Sequence, residues 1–153
     1  MARMFTADGV IIAKVMRDYL NTWPKKPCEI SLETIDKDAP SMMIQQLASA
    51  EKVKQYVDGS YIGAWNFAVY IRVHGRDSAS RLDAFAVLDE LGTWLTERGD
   101  NGSAYARLPI IDLNHVATSI EVSSTPSIAA RYDDGTEDYQ IVFRLEYKYK
   151  RRT

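Results

Sequence analysis

The sequence predicts an α+β fold: an antiparallel (mixed at most) sheet with two long hairpins, flanked by two main helices. Three observations predict it. Residues 61–73 alternate, with Tyr61, Trp65, Phe67, Val69, Ile71 and Val73 on one side and Asn66, Tyr70 and Arg72 on the other. Asp-Gly pairs stand at Asp58-Gly59 and Asp134-Gly135, each between β-rich runs. Such a pair signals a two-residue hairpin turn, because both turn positions favour positive φ. Two other stretches carry apolar residues at spacings of three and four, the period of an amphipathic helix.

The first helix is expected over residues 8–23, with Asp8 as its cap. Ile11, Val15 and Tyr19 form one line of its stripe, and Ile12, Met16 and Leu20 lie beside them. Pro24 and Pro27 end it, because proline cannot continue a helix. Residues 28–34 then alternate, with Cys28, Ile30 and Leu32 inward, as a half-buried strand. Residues 36–41 are a polar turn and residues 42–47 a further strand. A two-residue turn at Asp58-Gly59 sets Tyr56 opposite Tyr61 and Gln55 opposite Ile62. Tyr56, Tyr61 and Trp65 then share a face with Lys52 and Lys54, against Val53, Val57 and Ile62.

The second helix is expected over residues 78–98, opened by Asp77 or Ser78 and stopped by Gly99. Its stripe is Leu82, Phe85, Leu88, Leu91 and Leu95, widened by Val87 and Trp94. A polar loop, 99–107, leads to Leu108-Pro-Ile-Ile111, an apolar segment that can tuck under the sheet. Residues 116–123 read as a strand that Thr125-Pro126 breaks. In the last hairpin, a turn at Asp134-Gly135 places Ile128 opposite Ile141, Ala130 opposite Tyr139 and Arg131 opposite Asp138.

Size sets the frame for function. A chain of 153 residues is expected to be one domain, 1–153, with a core that needs no disulfide or metal. Cys28, the single cysteine, suits a reducing compartment. The net charge of −2 gives no overall pull toward nucleic acid or membrane. No apolar run reaches the length of a signal peptide core or a membrane span, so a soluble protein that stays where it is made is expected.

The search for chemistry returns bland readings. His74 and His115 have no Cys, Asp or Glu at metal-ligand spacing. Cys28 lacks a basic cluster to activate it, and no Gly-x-Ser-x-Gly nucleophile motif occurs. Gly99-Asp-Asn-Gly102 has the spacing of a phosphate-clamping loop but holds an acid and no base. The one basic cluster is Lys148-Tyr-Lys-Arg-Arg152, suited either to an acidic partner or to keeping a strand end soluble. No catalytic, cofactor or metal residue is assigned, and an enzyme is not expected.

Lys54-Gln-Tyr-Val-Asp-Gly-Ser60 leads into Asn66-Phe-Ala-Val-Tyr-Ile-Arg72; Ser41-Met-Met-Ile-Gln-Gln-Leu47 precedes it; Thr125-Pro126, Asp133-Asp134-Gly135 and Tyr139-Gln-Ile-Val-Phe-Arg-Leu-Glu-Tyr147 close the chain. This pattern resembles the minor capsid and tail terminator proteins of long-tailed bacteriophages. The resemblance covers most of the chain, and its motifs are structural rather than catalytic. It implies a hexameric ring on the end of the tail tube, which stops tube polymerisation and meets the head connector. The implied partners are copies of itself, the tail tube protein and a head-completion or connector protein, with no cofactor. The implied location is the virion tail, or the host cytoplasm during assembly. Neither membrane nor nucleic acid is an expected partner.

Physical reasoning adds a candidate interface: Tyr56, Asp58, Gly59, Tyr61 and Trp65 at the first hairpin, with Lys148, Lys150, Arg151 and Arg152 at the basic end. Apolar side chains on both faces near that turn would be covered by a neighbouring subunit. Two alternatives stand beside this reading. One is another joining protein of a phage or phage-derived particle. The other is a nucleic-acid-binding α+β module that uses the aromatics and the basic end.

Overall fold

A computed structural model describes residues 7–35, 40–47, 51–74, 78–96, 108–109 and 111–150. Among them the chain forms α1 (Ala7–Leu20), β1 (Ile30–Leu32), β2 (Ser41–Gln46), β3 (Glu51–Gln55), β4 (Tyr61–His74), α2 (Ser78–Thr96), β5 (His115–Arg131) and β6 (Thr136–Tyr149). The fold is α+β. One mixed, mostly antiparallel sheet runs in the order β1-β2-β4-β6-β5, and β3 also pairs with β4. β1 alone is parallel to its neighbour, β2.

β4 and β6 form the centre. Their pairing runs unbroken from Tyr61–Tyr149 to His74–Thr136. Odd-numbered residues of both strands face the core, where Trp65, Phe67, Val69, Ile141, Phe143 and Leu145 are at most 1% exposed. Phe67 stacks on Trp65 and on Phe143 at 4.9 and 5.2 Å between centroids. Both helices cover this face. Ile12, Met16 and Leu20 of α1 and Ala84, Leu88, Leu91 and Leu95 of α2 are buried in the same cluster. Tyr19 and Trp94 join the helices at 5.2 Å. The even-numbered face, with Met43, Asn66, Tyr70, Val142 and Arg144 half-buried, carries neither helix.

The helix boundaries differ modestly from expectation. α1 begins at Ala7, ahead of Asp8, and ends at Leu20, so Asp8 lies inside it and Pro24 lies beyond a separate turn. Ile11 is 37% exposed, because the buried line is Ile12, Met16 and Leu20. In α2 the buried line is Ala84, Leu88, Leu91 and Leu95, and Leu82 is 67% exposed rather than in the stripe. Asp77, Gly99, the 99–107 loop and most of the 36–41 turn lie outside the described residues. The strand expected over 28–34 is shorter, Ile30–Leu32, with Cys28 half-buried against the core. Its outer edge is blocked by Asn21, whose side chain accepts from Ile30 N–H (2.9 Å) and donates to Ile30 C=O (2.9 Å). The tuck expected of residues 108–111 is present at Ile111, which is buried.

Both hairpin registers need correction by one residue. At the first, Tyr56 N–H donates to Ser60 C=O (2.8 Å) and Gly59 N–H to Tyr56 C=O (3.1 Å). At the second, Tyr132 N–H donates to Thr136 C=O (3.0 Å) and Gly135 N–H to Tyr132 C=O (3.1 Å). Each loop therefore has three residues, Val57-Asp58-Gly59 and Asp133-Asp134-Gly135. Only the glycines take positive φ, 92° and 90°. The aspartate carboxylates hold this form by accepting from Ser60 N–H (2.9 Å) and Thr136 N–H (3.0 Å). This is a type I turn closed by a glycine bulge, in which aspartate needs no positive φ.

The consequences follow along the strands. Gln55 lies opposite Tyr61, and Lys54 opposite Ile62, with a bulge at Val53 before Lys52 meets Gly63. Arg131 lies opposite Glu137 and Ala130 opposite Asp138, each one residue from expectation, and Ile128, past a further register shift, lies opposite Tyr139, two residues from expectation. Asp138 thus pairs not with Arg131 but with Arg72, its neighbour across β4, through Nε (2.7 Å) and a second nitrogen (2.9 Å). Thr125-Pro126 does not end the strand. β5 continues to Arg131, with its register shifting between Ser124 and Ser127, because an edge strand tolerates proline at a bulge.

Glu137, buried beside the second turn, accepts from Tyr139 O–H (2.9 Å) and Arg81 Nε (3.0 Å), while Arg131 Nε meets its other oxygen (2.9 Å). Burial pushes its carboxyl up. The Tyr139 and Arg81 hydrogen bonds and the two guanidinium charges more than reverse this, so it sits below the usual range. A depressed carboxyl contributes stability above its unfolded-state value, lost as pH falls through the folded one. The wild-type urea midpoint is therefore expected to fall between about pH 6 and pH 3 more steeply than that of Glu137→Gln. Parallel slopes would contradict the assignment. Two glycine substitutions separate backbone from packing effects. Gly135→Ala meets no atom within 4 Å, so only its φ should count, about 1 kcal/mol. Gly63→Ala would bring its Cβ 2.4 Å from Tyr147 Cζ, and overpacking there should cost roughly 1–3 kcal/mol, read by urea unfolding.

Candidate functional site

The long β4–β6 ladder separates two ends of the sheet. The first turn, 56–60, lies beside the end of β6, because Ile62 pairs with Lys148 and Tyr61 with Tyr149. Register also decides which face each residue takes. Lys54, Ile62, Lys148 and Val116 form one cross-strand row on the open face. Tyr56 joins them, its ring 5.4 Å from Lys54 Nζ and 5.8 Å from Lys148 Nζ. Tyr56 therefore lies on the opposite face from Tyr61 and Trp65, which corrects the expected grouping. Lys54 moves with it, while Lys52 remains over Tyr61 at 4.7 Å. A shallow groove of about 360 Å³ runs between Tyr56, Asp58, Ser60, Lys148 and Lys150.

The expected interface residues divide accordingly. Tyr56, Asp58, Gly59, Lys148 and Lys150 come together at this end, with Tyr56 40% exposed. Tyr61 and Trp65 are interior. Tyr61 stacks on Tyr149 at 4.8 Å, and Trp65 is fully buried, so the monomer itself covers that face. Arg151 and Arg152 lie outside the described residues. The apolar surface at this end is instead Val57, fully exposed, with Val53 and Val116, each about half exposed. Among the described residues, none of Lys52, Lys54, Lys148 and Lys150 pairs with a carboxylate. Asp58 is held below the usual carboxylate range, first by the Ser60 N–H and to a smaller degree by Lys148.

A second segment fastens this end. Asp112 Oδ1 accepts from Asn114 N–H (2.8 Å) and His115 N–H (2.8 Å) and lies 2.8 Å from His115 Nδ1. Asn114 then ties down the end of β6 in both directions: Lys150 N–H donates to Asn114 C=O (2.8 Å), and Asn114 Nδ2 donates to Lys150 C=O (3.0 Å). The buried His115 ring rests against Tyr149 at 5.1 Å. His115 thus has a positioning partner in Asp112, an acid three residues earlier that the sequence reading passed over. His115 is buried and His74 is exposed, so the two histidines differ in setting. Among the described residues no group of three or more His, Cys, Asp or Glu is placed to hold a metal ion. No described helix is long and apolar enough to cross a membrane.

The surface so built offers lysine charge around an exposed tyrosine and valine, chemistry suited to an acidic surface with apolar contacts. Comparison with protein-family models and with curated proteins finds no match. Asn114→Ala should speed hydrogen exchange of the Lys150 amide while lowering overall stability by at most about 1 kcal/mol. Unchanged exchange would show that the Asn114 side chain does not order this end and that its backbone carbonyl suffices.

Proposed function

We propose that this protein is a structural subunit of a bacteriophage tail, a tail terminator that closes into a ring, ends tail-tube polymerisation and meets the head connector. The observation that carries the reading is the sheet end just described. There an exposed Tyr56–Val57 turn and three lysines outside any ion pair among the described residues, Lys54, Lys148 and Lys150, form a surface fit for another protein. Three of the stretches on which the family resemblance rests, Lys54–Ser60, Asn66–Arg72 and Tyr139–Tyr147, build this end and the β4–β6 ladder behind it. The role needs assembly surfaces and no reaction, and it assigns no catalytic residue. A joining protein of another phage-derived particle would use the same surface. Gene position just before a tail tube gene would favour the terminator.

The test is native mass measurement of the purified protein, alone and with tail tubes, together with tube length by electron microscopy. A ring that appears alone or on tubes is expected. Tyr56→Ser with Val57→Ser should fold normally, since both side chains are exposed, yet leave tubes of uncontrolled length. Tyr61 is not suitable for this test, because its burial would confuse loss of contact with loss of folding. Normal tube length with the double variant would remove this surface from the contact. A protein that stays monomeric even with tubes would overturn the terminator reading.

A further inference from the structure

The two hairpin turns are the same structure with different chemistry. Both read Tyr-x-Asp-Gly-Ser/Thr and share one hydrogen-bond pattern. At x the first carries Val57 and the second Asp133. The turns stand at opposite ends of the 14-residue β4 ladder, about 43 Å apart at 3.3 Å per residue. On the Tyr56 face beside Val57 are Lys54, Lys148 and Lys150, none within ion-pair distance of a carboxylate among the described residues, with Asp58 in the same groove and acted on by Lys148 at longer range. At the other end Asp133 and Asp134 are exposed, beside Tyr132 at 44% exposure. The Thr136 hydroxyl and N–H hold Asp134 below the usual range, so it stays anionic. Among the described residues the nearby arginines do not answer these two charges, for Arg72 is engaged by Asp138 and Arg81 and Arg131 by Glu137. At physiological salt a charge is screened beyond about 8 Å, so the two poles cannot neutralise each other within one chain.

We propose that the lysine-rich Val57 end of one copy receives the Asp133-Asp134 turn of a second copy, in a head-to-tail contact. This rests on the reading that the protein assembles with itself, and it names the two surfaces. Lys148 and Lys150 face the aspartates, Tyr56 and Val57 supply the apolar contact, and Tyr132 enters beside them. Because the surfaces differ, the contact is heterologous and each copy can both give and receive. Charge complementarity favours this occupant: Lys54, Lys148 and Lys150 outnumber the one carboxylate of their groove, Asp58, and the acidic turn supplies the missing charge.

The experiment uses the full chain, with mass read by native mass spectrometry and sedimentation at low and high salt. Wild type is expected to form oligomers that weaken as salt rises. Lys148→Glu with Lys150→Glu, and separately Asp133→Lys, should each weaken association at least about tenfold. Asp133 and Lys150 are exposed and Lys148 is half-buried, and circular dichroism checks that each variant folds. Mixed in equal amounts, the two variants should co-assemble into alternating oligomers, since the native acidic turn of the first meets the native lysines of the second and the introduced carboxylates of the first meet the introduced lysine of the second. Combining Asp133→Lys with Lys148→Glu and Lys150→Glu in one chain should restore larger oligomers. Wild-type assembly in both single-end variants overturns the charge contact and leaves the ring reading standing. A monomeric wild type at low salt that assembles only on tail tubes overturns it in the same way. Salt-dependent binding of short DNA, lost on Lys148→Glu with Lys150→Glu while the protein stays monomeric, overturns it in favour of nucleic acid.

Discussion

The uninterrupted antiparallel pairing of β4 with β6 is the constraint on which the rest of the structure depends. β3 pairs with β4, and β5 with β6, through ladders that shift register, but the central ladder does not shift from Tyr61–Tyr149 to His74–Thr136. Because side chains alternate with a period of two, this single register fixes both faces of the molecule. It sends Trp65, Phe67, Phe143 and Leu145 beneath the helices and leaves Tyr70, Val142 and Arg144 on the other side. It also aligns Arg72 with Asp138, so the pair closes across neighbouring strands with little freedom left to lose. The charged pair and the aromatic core are consequences of one alignment.

Much of this alignment was legible in the sequence. Alternation in residues 61–73 and 139–147 exposes the central strands, and the 3.6-residue period exposes both helices. What the pattern did not show is how the chain enters those strands. Asp-Gly suggests a two-residue turn when read alone. The residue after glycine was the overlooked clue: Ser60 or Thr136 gives its N–H to the preceding aspartate and makes a three-residue loop favourable. That one-residue difference carried Tyr56 to the other face and gave Arg131 to Glu137 instead of Asp138. Pro126 misled for a related reason. It forbids a regular ladder, yet β5 has a neighbour on one side only and absorbs it in a bulge. The candidate site was legible in part. Basic residues at the end of the chain and the aromatic hairpin were visible, but their meeting depends on the β4–β6 pairing. The Asn114 clasp gave no signal, since an asparagine in a loop is common for conformational reasons alone.

The two ends of the ladder then differ in how they treat charge. At the second turn, folding draws Glu137 and Asp138 out of water. Leaving either unpaired there would be costly, so Arg72, Arg81, Arg131, Tyr132 and Tyr139 converge on them. These arginines are committed to stability. At the first turn the lysines rest on aromatic rings rather than carboxylates, and their charge stays directed outward. A fully exposed Val57 at the same place gains nothing for the isolated fold. One end of the sheet is thus internally satisfied, except for its outermost aspartates, while the other holds cations and apolar surface in readiness. Folding alone explains the first arrangement. The second does nothing for the isolated fold, and it is this end, rather than the more densely hydrogen-bonded one, on which the proposed assembly contact rests.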